Sequence, residues 1–193
     1  MRRVLVCMFV SLDGKIAGPR GDLEWMPGNG KPDGEVDRAV DALLDDVDTI
    51  LLGRVTYELF LDFWPGASSA DDLVADKLNA CSKVVFSRTL ATVHWGRWNN
   101  ARVAGRPLAE EIAHLKRQRG KDMVAFGGAR LARALLSEHL VDELLLFVAP
   151  ILLGGGTPLF EDGATTQELD LQELTAFASG TVLLRYRPER PAG

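Results

Sequence analysis

The sequence predicts an α/β protein with a mostly parallel central sheet, helices on both faces and a C-terminal antiparallel hairpin. Three observations carry this. Strand-like and helix-like segments alternate along most of the chain. The strand-like segments are apolar at nearly every position, as in strands buried on both faces. The last two, about 171–178 and 181–187, are joined at Ser179-Gly180, which suits a tight hairpin turn.

The elements follow in order. Residues 3–11, RVLVCMFVS, predict a first strand, broken by Leu12-Asp13-Gly14. A glycine- and proline-rich loop over 17–34 contains Trp25, and loops of this length inside compact domains are functional or mobile. Val36, Val40, Leu43, Leu44 and Val47 recur at helical spacing and predict a helix from about Glu35 to Asp46. A short strand, 48–53, ends at Gly53, and the helix that follows, 54–64, is stopped by Pro65. Residues 68–81 read as another helix, with Ser69 as its cap ahead of two acidic residues. A strand at 83–87 follows. Residues 107–120 then form a helix that opens on Pro107 and closes on Gly120. A strand at 122–128 meets a helix at 129–140, and 141–156 begins as a strand and ends in glycines. The last six residues are expected to fray.

Composition narrows the class. The chain has 193 residues, 47% hydrophobic and 25% charged, which suits one soluble domain over 1–193. A net charge of −5 without a basic run argues against nucleic acid as a partner. Cys7 and Cys81 have neither metal-ligand spacing nor a disulfide framework, so both read as reduced thiols of a cytoplasmic protein, and no metal is expected. The N-terminus lacks a small-residue cleavage site and reads as a first strand. No apolar run approaches the ~20 residues that span a bilayer, so no membrane partner is expected.

The chemistry concentrates at strand ends. Gly53-Arg54-Val55-Thr56 forms one strand-to-helix junction, Ser87-Arg88 lies just beyond a second strand, and Gly127-Gly128 forms a third junction with Arg130 beyond it. In open α/β sheets ligands bind outside the carboxyl ends of strands, so all three segments suit one crevice. Helix N-termini, free amides and guanidinium groups together suit a multiply phosphorylated ligand. Each also has a simpler reading: Arg54 suits a surface ion pair with Glu58, Ser87-Arg88 suits a turn, and Gly127-Gly128 suits a tight corner. Neither the G-x-G-x-x-G fingerprint nor the P-loop is present. No serine has a histidine and carboxylate at a recognisable spacing, and the three histidines form no site.

Four motifs, in order, resemble one family. The segment 50–60 resembles the strand-Gly-Arg-x-Thr-aromatic-Glu motif of dihydrofolate reductases, and 126–136 resembles their Gly-Gly cofactor motif. The segment 8–18, with Ser11-Leu12-Asp13-Gly14, and the segment 140–160 are similar to the riboflavin-biosynthesis reductase family, the C-terminal domain of bifunctional deaminase-reductases. The resemblance covers about residues 3–187. It implies a dihydrofolate reductase-like fold and reduction of a small heterocycle by NADPH, as in 5-amino-6-(5-phosphoribosylamino)uracil reductase. Arg54 and Thr56 would then sit at the cofactor phosphates, with Gly53 at their junction. Ser87 and Arg88 would lie at the adenosine ribose and its 2′-phosphate, and Gly127, Gly128, Ala129, Arg130 and Leu131 would wrap the pyrophosphate. Val10 and Ser11 would face the nicotinamide, Ser11, Asp13 and Trp25 the substrate. Counting back from Gly53, Asp37 would correspond to the catalytic carboxylate on the helix before the Gly-Arg motif, with Asp33 and Glu35 as alternatives. The stretch 30–37 departs from the dihydrofolate reductase pattern, which argues against a folate substrate.

The deaminase zinc signature, His-x-Glu with Pro-Cys-x-x-Cys, does not occur, so a stand-alone reductase domain is expected. The glycines at 154–156 suit either a turn or a further phosphate loop. The long apolar segment 142–153 would make a poor bare edge strand, and a homodimer is expected to cover it. Two rivals stand beside this reading: a dihydrofolate reductase-like pterin reductase, and an NADPH-binding protein without catalysis.

Overall fold

The structure is a computed structural model that describes residues 1–26, 33–161, 163 and 166–189. Strand β1 (Val4–Ser11) lies inside an eight-stranded sheet, as its nearly unbroken apolar sequence demands. On one side it pairs in parallel with β6 (Asp122–Phe126). Outward from β6 come β3 (Val47–Gly53), β4 (Ser82–Phe86) and β5 (Ala101–Val103), all parallel. On the other side β1 pairs in parallel with β7 (Glu143–Ala149). Strand β10 (Val182–Pro188) runs antiparallel to β7, and β9 (Leu169–Ala176) forms the hairpin edge. A small ribbon pairs β2 (Lys15–Ala17) with β8 (Thr157–Pro158).

Alternation along β1 feeds two cores. Leu5 and Cys7 face one, where Val36, Val40, Leu43 and Leu44 of α1 (Gly34–Asp45), Tyr57 of α2 (Arg54–Leu61) and Leu78 of α3 (Ala75–Ala80) pack. Val4, Val6, Met8 and Val10 face the other, with Ile112 and Leu115 of α4 (Leu108–Arg117) and Leu131, Ala132 and Leu135 of α5 (Ala129–Ser137). Because the six parallel strands point one way, the ends of β1, β3, β4, β5 and β6 share one edge of the sheet. The starts of α2, α4 and α5 lie there too, since each follows one of those strands.

A buried polar cluster holds the start of β4, at the opposite edge of the sheet. The Lys83 ammonium, 0% exposed, donates to the carbonyls of Leu78, Asn79 and Cys81 at 2.7–2.8 Å and lies 4.5 Å from the centre of the Trp95 ring. Burial pushes its pKa down to about 7, while the carbonyls and the ring face favour the charged form. Trp95 Nε1 donates to Asn79 Oδ1, and Asn100 Nδ2 donates to the Asn79 and Cys81 carbonyls. The long β4–β5 crossover is thereby tied to the end of α3.

Three sequence expectations need correction. The helix expected over 68–81 begins only at Ala75, and Ser69 does not cap it. Asp71 instead accepts from the Ser68 amide and hydroxyl, and Asp72 accepts from the Val74 amide, so the first half is spent in turns. β5 was not anticipated, because three residues carry too little periodicity. β7 is not an edge: it lies between β1 and β10, so the edge argument for a homodimer loses its premise there. Residues 27–32 of the expected 17–34 loop, and 190–193 of the expected frayed end, lie outside the described residues.

Candidate functional site

Two junctions meet at the carboxyl edge. β3 and β6 are hydrogen-bonded neighbours, so α2 and α5 start side by side. Neither has a side-chain cap: the N-cap residues are Gly53 and Gly128. α1, by contrast, is capped by the Asp33 carboxylate, which accepts from the Glu35 and Val36 amides. The first amides of α2 and α5 therefore lack a side-chain acceptor, and helix N-termini carry partial positive charge.

Thr56 lies between the two starts, 6% exposed, and its hydroxyl has no hydrogen-bond partner among the described residues. A Cβ on Gly127 would come 3.3 Å from Thr56 Cγ2, and one on Gly128 would come 2.7 Å from Thr56 Oγ1. Both glycines have positive φ, 56° and 73°. The pair is thus required by the corner itself, on two counts: backbone conformation and the Thr56 contact. Gly53 differs. Its φ of −76° is open to any residue, and a Cβ there would meet only Leu131 Cβ at an ordinary 3.8 Å.

The remaining expected residues sit as follows. Arg54 is exposed and forms a two-contact ion pair with Glu58 at 3.0 and 2.8 Å, worth roughly 0.3–0.5 kcal/mol. Ser87 Oγ accepts from the Thr89 and Leu90 amides, so it closes a turn beyond β4. Arg88 and Arg130 are exposed and have no ion pair among the described residues. Ala129 and Leu131 are buried residues of α5, and Val10 is 4% exposed in the second core, which leaves little of its side chain for a ligand.

Ser11 and Asp13 form a latch. The Ser11 hydroxyl donates to Asp13 at 2.6 Å, and the Asp13 carboxylate accepts from the Leu153 and Gly154 amides at 3.1 and 2.9 Å. Asp13 thereby holds the glycine loop at 152–156 across the end of β1. The Ser11 hydroxyl first, then those amides, lower its pKa to about 2. Asp37 goes the other way. It lies half-buried in the first turn of α1, and burial, then Asp72 and Asp33, raise its pKa against the opposing Arg38. Since α1 runs down to the start of β3, its first turn lies at the same carboxyl edge. Trp25 is partly buried, with its indole N–H unpartnered among the described residues.

Two surface depressions lie at the opposite edge, around Arg3, Asp142 and Glu143 and around Asp45, Lys77 and Lys121. Their charges are largely paired with one another, as in Arg3–Asp122, Arg3–Glu143, Lys116–Asp142 and Lys77–Asp45. The carboxyl edge, by contrast, carries two helix starts without a side-chain cap and, in Arg88 and Arg130, two arginines without an ion pair among the described residues.

Strand order, crossovers and this edge define a dihydrofolate reductase-like α/β domain. The family model of the RibD C-terminal domain matches residues 2–183, and the chain belongs to that family. It is 33% identical over 194 residues to the Bacillus subtilis (strain 168) protein YyaP, itself uncharacterized, covering 96% of this chain and 94% of YyaP. Among solved structures it resembles a candidate riboflavin biosynthesis protein from Shewanella sp. PV-4, with TM-score 0.76, 26% identity and coverage of 97% and 99% of the two chains. It shares its fold with a deaminase/5-amino-6-(5-phosphoribosylamino)uracil reductase of Thermotoga maritima, with TM-score 0.71, 19% identity and coverage of 97% of this chain but 56% of that one.

The Thr56 contact is testable by a double-mutant cycle in chemical denaturation. Gly128→Ala should cost about 1–2 kcal/mol from backbone conformation alone, and more from the collision. In a Thr56→Ala background the cost should fall, because Oγ1 is gone. An equal loss in both backgrounds would remove Thr56 as the reason for the glycine.

Proposed function

We propose that this protein is an NADPH-dependent reductase of a small heterocyclic substrate, of the class of 5-amino-6-(5-phosphoribosylamino)uracil. The reading rests above all on the paired, uncapped starts of α2 and α5 around the free Thr56 hydroxyl. Amides from both helices, the Thr56 hydroxyl and Arg130 suit a pyrophosphate. Gly53 supports it, because the fold gives no steric reason for glycine there while a ligand lying against the backbone does. Arg54 can serve only by sharing or leaving Glu58. Arg88, unpaired beyond β4, suits a 2′-phosphate.

NADPH bound there would supply a hydride, and the chain's own residues would orient it and hold a proton. Asp13 stays ionised at neutral pH and is engaged by two amides, so it is an anchor and no proton donor. Asp37, whose carboxyl is raised by burial, is the better proton-holding group. That residue also favours a second reading, reduction of a pterin-like ring. The reductase reading places the protein in the cytoplasm, with a biosynthetic intermediate as its small-molecule partner.

We also propose a homodimer, now on a different edge. A bulge sets Tyr186 opposite Leu171 and Leu184 opposite Leu174, so Leu171 and Leu174 share one face of β9. They are 48% and 60% exposed, with Leu169 at 39% beside them. An apolar edge of this kind invites a second copy.

Two measurements check these readings. Purified protein should consume NADPH with a ribosylaminopyrimidine or a dihydropterin from a mixed panel, with NADPH preferred over NADH. Arg88→Ala should weaken NADPH about tenfold or more, as loss of a charge-assisted hydrogen bond of roughly 1.5–3 kcal/mol implies, and leave NADH nearly unchanged. Binding without turnover of any panel member would overturn the catalytic reading, and equal losses for both cofactors the role of Arg88. Light scattering should give a dimer mass that Leu171→Lys/Leu174→Lys reduces to a monomer; a monomeric wild type at micromolar concentration would contradict the dimer.

A further inference from the structure

The β5 end carries cations that the sequence pattern did not single out. Val85 and Val103 are register partners, and the Ala104 amide donates to the Val85 carbonyl at 2.9 Å. The segments that follow β4 and β5 therefore start from neighbouring strand ends, about 5 Å apart as neighbouring strands are. Arg106 follows the end of β5 by three residues, as Ser87-Arg88 follow the end of the neighbouring β4. Its partner is Glu111 of α4, whose side chain is 0% exposed. Glu111 Oε1 accepts from Arg102 at 2.5 Å and Oε2 from Arg106 at 3.3 Å.

The electrostatics leave a surplus. One carboxylate serves two guanidinium groups, so the trio carries one net positive charge, and Arg88 adds another. Arg102 is held by the shorter bond and also reaches the Val103 carbonyl. Arg106 touches Glu111 through one nitrogen only, and its remaining N–H groups have no acceptor among the described residues. α4 also starts without a side-chain cap, at Pro107. A phosphate monoester carries about −1.5 to −2 at neutral pH, which matches the surplus.

We propose that Arg106, aimed by the buried Glu111, is a specificity-determining residue that closes the 2′-phosphate site of the cofactor opposite Arg88. This rests on the reductase reading above. Arg106 is half-exposed, and in its absence Glu111 keeps Arg102 as a partner, so the fold is expected to survive truncation; the thermal melt of the free variant checks that.

The test is isothermal titration of the wild type, Arg106→Ala, Arg106→Lys and Arg88→Ala/Arg106→Ala with NADPH and NADH. Arg106→Ala should lose at least fivefold in affinity for NADPH and none for NADH. Arg106→Lys should recover part of the loss, since it restores charge without the planar fork. The double variant should bind both cofactors alike. A wild-type ratio of NADPH to NADH affinity retained in Arg106→Ala would overturn this inference and leave the reductase reading standing. A wild type that binds both equally would overturn the 2′-phosphate site altogether. A wild type that binds neither would overturn the reductase reading itself.

Discussion

The close approach of Thr56 to Gly127-Gly128 governs the geometry of the carboxyl edge. β3 and β6 are adjacent, so their following helices must start within a few ångströms of one another. That crowding is accommodated by two residues without Cβ atoms, both at positive φ, against one small β-branched side chain. The result is two adjacent helix starts, neither of them capped by a side chain among the described residues. An anion there would satisfy amides of both helices at once.

Other parts of the edge are held by groups that a ligand need not touch. Asp13 pins the glycine loop after β7 to the end of β1, and its low pKa keeps that tie ionised across the physiological range. At the opposite edge, before β4 and β5, Lys83, Asn79 and Asn100 tie the β4–β5 crossover to the end of α3. Glu111 does the same for the two arginines at β5. Buried polar groups recur where an irregular segment must be fixed beside the sheet, because only satisfied hydrogen bonds make such burial tolerable.

The main strands and helices were legible because doubly buried strands leave apolar runs and amphipathic helices leave a 3.6-residue period. The failures were local. Ser68, Asp71 and Asp72 satisfy their own backbone in turns, and that competition is hidden in a sequence that also scores as helix. Strand β5 was too short to read. At the site, the sequence located the three junctions and the β1 latch residues but did not resolve the structural work each of them does. Gly127-Gly128 is needed by the corner, Ser87 by a turn, and Ser11-Asp13 by a loop that lies about 140 residues away in sequence. Arg106 was missed because its relation to Arg88 exists only through the β4–β5 pairing, which depended on the unread strand.

The central claim is that the starts of α2 and α5 act as one anion site. Titration of isotope-labelled protein with NADPH, followed by amide resonances, addresses it directly. The account predicts that the amides of Arg54, Val55 and Thr56 and those of Gly128, Ala129 and Arg130 shift together, along a single binding curve. Shifts confined to one of the two helices, or to the opposite edge around Arg3 and Glu143, would contradict it.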